Sequence, residues 1–302
     1  MAAPLALEAA PVVSRAAPLV PTEIFREVDL VASGISDVAA AFRTSGTTGG
    51  GRRGTRRVPD LGLYRAGMRA PFVSAVLDDD VTPRAWLSLI PPYTTLPESS
   101  LAFMVDDLAT SLASGLTHVA SAQGLALEDA KAWLTHHRSL GEPVVMLTTA
   151  LALLALLERL DAPTPLPAGS RVMVTGGFKG RNLAVTEAAL IARVREQLAL
   201  PSEAIVPEYG MTELTSQAYG QPFHAPPWLK LRVVDPLTLE DTGPGVTGLV
   251  AFFDLLNLDN ISAVLSSDLG VLDATGGLTL LGRAPDAPRR GCSLIADAWS
   301  GS

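Results

Sequence analysis

The chain has 302 residues, with 23 Lys+Arg against 31 Asp+Glu and a formal net charge of −8. That acidic balance offers no long-range attraction to a polyphosphate backbone and argues against a general nucleic-acid binder. A 48% share of hydrophobic residues against 18% charged argues against whole-chain disorder, and the single cysteine, Cys292, excludes an intramolecular disulfide and a thiolate zinc cage.

In chain order, residues 1–20 read as a flexible Ala/Pro-rich leader without the basic and apolar regions of a secretory signal. Val31 to Phe42 has helical spacing. A Gly/Thr/Arg-rich loop follows from Thr44 to Arg57. Leu61 to Leu77 reads as a helix broken by Pro71, and Trp86 to Ile90 as a strand ended by Pro91 and Pro92. Ser99 to Ser114 is helical with a serine N-cap; His118 to Ala120 reads as a strand and Ala126 to His136 as a helix. Val144 to Leu160 reads as one strong buried helix. The apolar stretch Pro143 to Leu157 inside it is too short for the ~20 residues of a membrane span. Arg171 to Thr175 is a strand running into Gly176 and Gly177, Thr186 to Leu200 an amphipathic helix, and Ala204 to Tyr209 a strand ending at a Gly210 turn. Further β-like runs are Leu229–Val234, Gly248–Asp254, Ala263–Leu265 and Leu278–Leu281. Helices and strands alternate early and strands dominate late, which predicts an α/β chain with mixed β-sheets flanked by helices. The lone cysteine points to a reducing, cytoplasmic setting.

Three segments carry candidate chemistry. Thr44-Ser45-Gly46-Thr47-Thr48-Gly49, followed by Gly50-Gly51-Arg52-Arg53-Gly54, can offer backbone N–H and hydroxyl donors to phosphate oxygens, or be a plain surface loop. No glycine precedes a Lys-Ser or Lys-Thr pair, so a Walker loop fails. Gly49-x-Gly51-x-x-Gly54 satisfies the dinucleotide pattern but lacks a clear strand before it and has Pro59 where the helix should run. Tyr209-Gly210-Met211-Thr212-Glu213 sets an aromatic face, a hydroxyl and a carboxylate on one turn, able to take a base, a phosphate and Mg²⁺, or merely to cap a helix. In Ser266-Ser267-Asp268-Leu269-Gly270, Asp268 can accept ribose hydroxyls or make an Asx-turn.

Together, these pieces and their order resemble the adenylate-forming superfamily of acyl-CoA ligases, adenylation domains and luciferases. They are closest to its acyl-protein synthetase (LuxE-type) branch, the fatty-acid–protein ligases. The resemblance runs from about Pro21 to Leu294. It is carried by Phe42–Gly49, Pro97–Met104, Val174–Arg181, Tyr209–Glu213, Asp254-Leu255-Leu256-Asn257, Ser267–Gly270, Gly282-Arg283 and Arg290–Leu294.

The resemblance implies the superfamily's large N-terminal domain over residues 21–302, without its lid domain, and a short tail, 284–302, bearing Cys292. It implies ATP and Mg²⁺ as cofactors. Thr44, Ser45, Gly46, Thr47, Thr48 and Gly49 would close over the β- and γ-phosphates. Gly176 and Gly177 would line the adenine pocket, Tyr209 would stack on the base, Gly210 and Met211 would also belong to the ATP-binding set, and Thr212 would touch the α-phosphate. Glu213 would hold the metal, Asp268 would bind the ribose, and Arg283 would add a ribose or phosphate contact. It further implies a carboxylic, expectedly fatty, acid as substrate and Cys292 as acyl acceptor. The partner would be an acyl-reductase, acyl-transferase or carrier protein. The superfamily's usual loop lysine is replaced here by Arg52 and Arg53. A CoA ligase or carrier-protein loader with Cys292 idle, and a catalytically weak nucleotide- or acyl-binding subunit, remain open alternatives.

Overall fold

The computed structural model describes residues 17–28, 30–32, 37–44, 53–177 and 186–284. In chain order the elements are β1 (Val20–Pro21), α1 (Ile24–Glu27), β2 (Ala40–Arg43), β3 (Thr55–Val58), α2 (Leu61–Ala75), β4 (Arg84–Ser88), α3 (Ser100–Leu112), β5 (Ala113–His118), β6 (Ala120–Ser121), β7 (Gly124–Leu125), α4 (Leu127–Leu140), β8 (Val144–Thr149), α5 (Ala150–Arg159), β9 (Arg171–Thr175), α6 (Glu187–Leu198), β10 (Ile205–Tyr209), β11 (Ala218–Tyr219), β12 (Leu229–Val234), β13 (Gly248–Asp254), β14 (Ala263–Leu272) and β15 (Leu278–Arg283).

One sheet runs β11-β10-β9-β8-β4-β5, parallel throughout except for β11. Its central strand β8 is buried on every residue. Val144 and Met146 face a core shared with α4, α5 and α6, while Val145 and Leu147 face a second core shared with α2 and α3. Helices thus cover both faces, as a parallel sheet requires. The second sheet is antiparallel through β12-β13-β14; β1 joins the first part of β14 in parallel and β15 pairs with its later part. A third core under this sheet gathers Tyr209, Leu214, Phe223, Val250, Phe252 and Val264. The expected α/β architecture with mixed sheets is what the chain adopts.

Three sequence expectations need correction. Val144 to Leu160 is not one helix. It is strand β8 followed at once by α5, with the Thr149 hydroxyl capping the helix by accepting the Ala152 N–H at 3.2 Å. A strand buried on both faces has no polar alternation, so its apolar run cannot be told from a buried helix by periodicity alone. Val31 to Phe42 does not end in a helix: Ala40–Arg43 is a strand with Ala40 and Phe42 buried and Ala41 and Arg43 exposed. It pairs antiparallel with Thr55–Val58, which also shortens the expected Thr44–Arg57 loop. Pro71 does not break α2; the helix continues through it, with Tyr64, Met68, Pro71 and Phe72 on its buried face.

Candidate nucleotide and metal site

The carboxyl ends of β9 and β10 lie side by side, with Glu208 in register with Thr175. In open α/β sheets this edge is where ligands bind. It carries Thr175-Gly176-Gly177 from one strand and Tyr209-Gly210-Met211-Thr212-Glu213 from the next. Gly176 has φ +71°, which favours glycine, and among the described residues nothing lies within 4 Å of a Cβ placed on Gly177. Gly210 is needed for the opposite reason, because a Cβ there would sit 2.9 Å from Gln217 Cγ and closer still to Glu208 Oε1.

Tyr209 is nearly buried, with Phe223 and Phe252 ring centroids 5.6 Å and 5.8 Å away. Its hydroxyl donates to Asp268 Oδ2 at 2.5 Å. Asp268 lies opposite Arg283 in the β14–β15 ladder, and Arg283 Nε stands 3.3 Å from Asp268 Oδ1. Three residues assigned from sequence to one nucleotide, and separated by up to 74 positions (283 minus 209), therefore form one cluster that links the two sheets.

Thr212 and Glu213 follow on the same turn. The Thr212 hydroxyl is 3.5 Å from that of Ser100 in the first turn of α3. Glu213 is buried. Sequence reasoning gave no role to the residue that holds this turn from behind, Arg56 of β3. Its buried guanidinium donates to the carbonyls of Thr212 (3.3 Å) and Leu214, to Thr215 Oγ1 (2.7 Å) and to Asn257 Oδ1 (2.9 Å). Burial pulls the Arg56 pKa down from its ordinary value, while Tyr64, Asp254, Glu213 and Asp259 act in the opposite sense. Burial pushes the neighbouring Tyr64 phenol up to about 12. Asp254 and Asn257, quoted from sequence only for their resemblance, complete the network. Asp254 Oδ2 accepts the Thr215 N–H at 2.6 Å, and Asn257 Nδ2 donates to the Glu213 carbonyl at 3.1 Å. Burial raises the Asp254 carboxyl, partly offset by the N–H donors of Thr215 and Leu256.

Of the expected phosphate loop, Ser45, Gly46, Thr47, Thr48 and Gly49 lie outside the described residues, as does Cys292. The loop's stem is described. Thr44 N donates to Gly54 O, and Gly54 N donates to Thr44 Oγ1, both at 2.8 Å. Arg53 Nε donates to Thr44 O at 2.8 Å, and Arg43 and Arg53 both pair with Glu98, at 3.2 Å and 3.0 Å. The segment from Thr44 to Gly54 thus joins two antiparallel strands. The dinucleotide reading of Gly49 to Gly54 is overturned, because β3 stands where its helix would have to begin.

The residues present suit a magnesium nucleotide. Among the described residues no three His, Cys, Asp or Glu side chains gather into a metal set. Mg²⁺ is commonly held by one or two carboxylates plus substrate phosphates and water. Glu213 would supply the carboxylate, and Thr212 and Ser100 hydroxyl donors.

Comparisons with known proteins bear on the fold. The fold is that of adenylate-forming ligases. ATP-bound MatB from Rhodopseudomonas palustris aligns with a TM-score of 0.59 at 18% identity, over 83% of this chain and 49% of its own. O-succinylbenzoate coenzyme A synthetase (MenE) from Bacillus subtilis, solved with ATP and magnesium ion, gives 0.57 at 18% identity, over 85% of this chain and 53% of its own. Amide bond synthetase McbA from Marinactinospora thermotolerans gives 0.57 at 16%, over 82% and 49%. The chain spans about half the length of these solved structures. Residues 163–298 match the family described as "Acyl-protein synthetase, LuxE", so the resemblance expected from sequence is borne out. No curated protein matches the chain. Among the described residues no helix is long and apolar enough to cross a membrane.

Proposed function

We propose that this chain activates a carboxylic acid with magnesium ATP and passes the acyl group to a thiol. A substrate carboxylate oxygen attacks the α-phosphorus, forming the acyl–phosphate bond; the bond from the α-phosphorus to the bridging oxygen breaks and pyrophosphate leaves. Both reactants are anionic, so the site must hold them in line and offset their repulsion. Mg²⁺ supplies charge neutralisation on the phosphates when bound. Thr212 donates to the α-phosphate, Glu213 anchors the metal, Tyr209 and Gly176–Gly177 orient the base, and Asp268 and Arg283 hold the ribose. In the second step a thiolate sulfur attacks the acyl carbon and AMP leaves. Cys292 is the proposed thiol, from which the group passes to an acyl-reductase, acyl-transferase or carrier-protein partner.

The observation that carries this reading is the Tyr209–Asp268 hydrogen bond. It joins the two sequence segments assigned to base and ribose at the sheet edge that also bears Thr212 and Glu213. The LuxE family match supports an acyl substrate. The test is ATP–pyrophosphate exchange with a panel of acids from acetate to hexadecanoate, followed by intact-mass measurement. Exchange should require an acid, ATP and Mg²⁺, with a longer-chain acid preferred; exchange with no acid in the panel would overturn the reading.

A further inference from the structure

The Arg56–Asp254–Asn257 cluster lies behind the candidate site and has no part in the chemistry above. The turn it grips lies outside helix and strand, so its carbonyls need partners from elsewhere. Arg56 takes those of Thr212 and Leu214, Asn257 takes that of Glu213, and Asp254 takes the Thr215 N–H. Three consecutive carbonyls are therefore held by two side chains that also bond each other, Arg56 Nη2 to Asn257 Oδ1 at 2.9 Å. Arg56 stands two residues beyond Gly54, whose N–H closes the phosphate-loop stem on Thr44, and opposite Phe42 in the hairpin. A buried charge is an expensive way to stabilise a core, and apolar residues of similar volume often do as well. The planar fork of arginine, however, can bond several fixed acceptors at once, which neither an apolar side chain nor lysine can reproduce. The guanidinium is further fixed by the Tyr64 ring, 5.2 Å from its carbon to the ring centroid.

We propose that Arg56, with Asp254 and Asn257, is a positioning cluster that fixes the Thr212–Thr215 turn to the stem of the phosphate loop. Thr212 and Glu213 then meet the nucleotide phosphates in one geometry set by that stem. This rests on the proposed adenylation reading. Misplacing reacting groups by about 1 Å costs on the order of a hundredfold in rate. Arg56 touches no nucleotide atom in this account and acts through the turn, whereas Tyr209 and Asp268 belong to a separate cluster.

The experiment compares wild type, Arg56→Lys, Arg56→Ala and Asn257→Ala. It measures melting temperature, exchange kcat, KM for magnesium ATP, and AMP affinity by calorimetry. Arg56→Lys should lower kcat about a hundredfold and weaken AMP, which keeps only the α-phosphate contact of Thr212, by far less. Added guanidinium should restore about tenfold of the activity lost in Arg56→Ala. Asn257→Ala, which removes no charge, should lower kcat about tenfold and keeps the test open if the arginine variants do not fold. Variants that lose melting temperature but keep wild-type kcat per folded molecule would overturn the positioning role and leave the adenylation reading standing. A wild type that neither exchanges pyrophosphate nor binds AMP would overturn that reading and this inference with it.

Discussion

The Tyr209 hydroxyl donates a 2.5 Å hydrogen bond to Asp268, tying the carboxyl edge of the parallel sheet to the centre of the antiparallel one. With Arg283 on its other oxygen, the Asp268 carboxylate is oriented before any ligand arrives. Asp268→Ala removes the proposed ribose acceptor and both of these contacts. Hydrogen bonds to charged groups contribute about 1.5–3 kcal/mol, so ATP affinity should fall roughly ten- to a hundredfold. Affinity for the acid should change far less. Calorimetric titration of both ligands checks this, and unchanged ATP affinity would remove Asp268 from the ribose site.

Glu213→Gln should keep the fold, because the Arg56 and Asn257 bonds to its turn run through backbone carbonyls that the substitution leaves in place. An amide cannot replace the carboxylate as an anionic Mg²⁺ ligand, so exchange should fall about a hundredfold or more. Chelating Mg²⁺ from wild type should reproduce that loss, and excess Mg²⁺ should rescue the variant poorly. Near wild-type exchange in Glu213→Gln would transfer the metal role elsewhere.

Much of the fold is legible in the sequence, and the failures have a common physical origin. Arg171–Thr175 and Leu229–Val234 are bounded by turn residues and read as they fold. Val144–Thr149 does not, because burial on both faces erases the polar alternation that marks a strand. Its β-branched Val144, Val145, Thr148 and Thr149 were the available signal. The same limit applies to the site. Tyr209–Glu213 and Asp268 are contiguous motifs and can be found by eye. Arg56 acts on carbonyls 156 and 158 positions away, and in sequence it is one of two arginines in a basic run, Arg56-Arg57. Only the hairpin register, which buries position 56 and leaves position 57 half-buried, separates the two.

A pH effect on stability should come from the β14–β15 turn. The Asp273 carboxyl is held below its ordinary value by the Thr275 hydroxyl and the N–H groups of Gly277 and Thr275. A depressed folded-state pKa gives stability that is present above the unfolded value of 3.8 and lost as pH falls through the folded value. Asp273→Ala should therefore be less stable than wild type at about pH 6, with the gap narrowing as pH falls below 3.8. Asp254, raised by burial, has the opposite sign: its contribution favours folding at low pH and is lost as pH rises through its folded value. Urea denaturation at about pH 6 and at a series of values below 3.8 checks the prediction, and a gap that stays constant would refute it.

The acyl acceptor is tested at Cys292, the chain's one thiol. Arg289 and Arg290 precede it in sequence, and neighbouring cations favour the thiolate, which is the attacking form. Serine is nearly isosteric with cysteine but is a far weaker nucleophile at neutral pH without a base beside it. Cys292→Ser should therefore keep wild-type pyrophosphate exchange, since the proposed adenylation step would use Thr212, Glu213 and Asp268. It should lose the hydroxylamine-sensitive adduct seen by intact mass. Alkylating the wild-type thiol should have the same effect, and the adduct should form only with ATP and acid together. If the variant instead transfers acyl groups to CoA at the wild-type rate, the thiol is idle and the acceptor is external. If exchange is lost along with the adduct, Cys292 supports the first step and not the second, because an acceptor can act only after pyrophosphate has left.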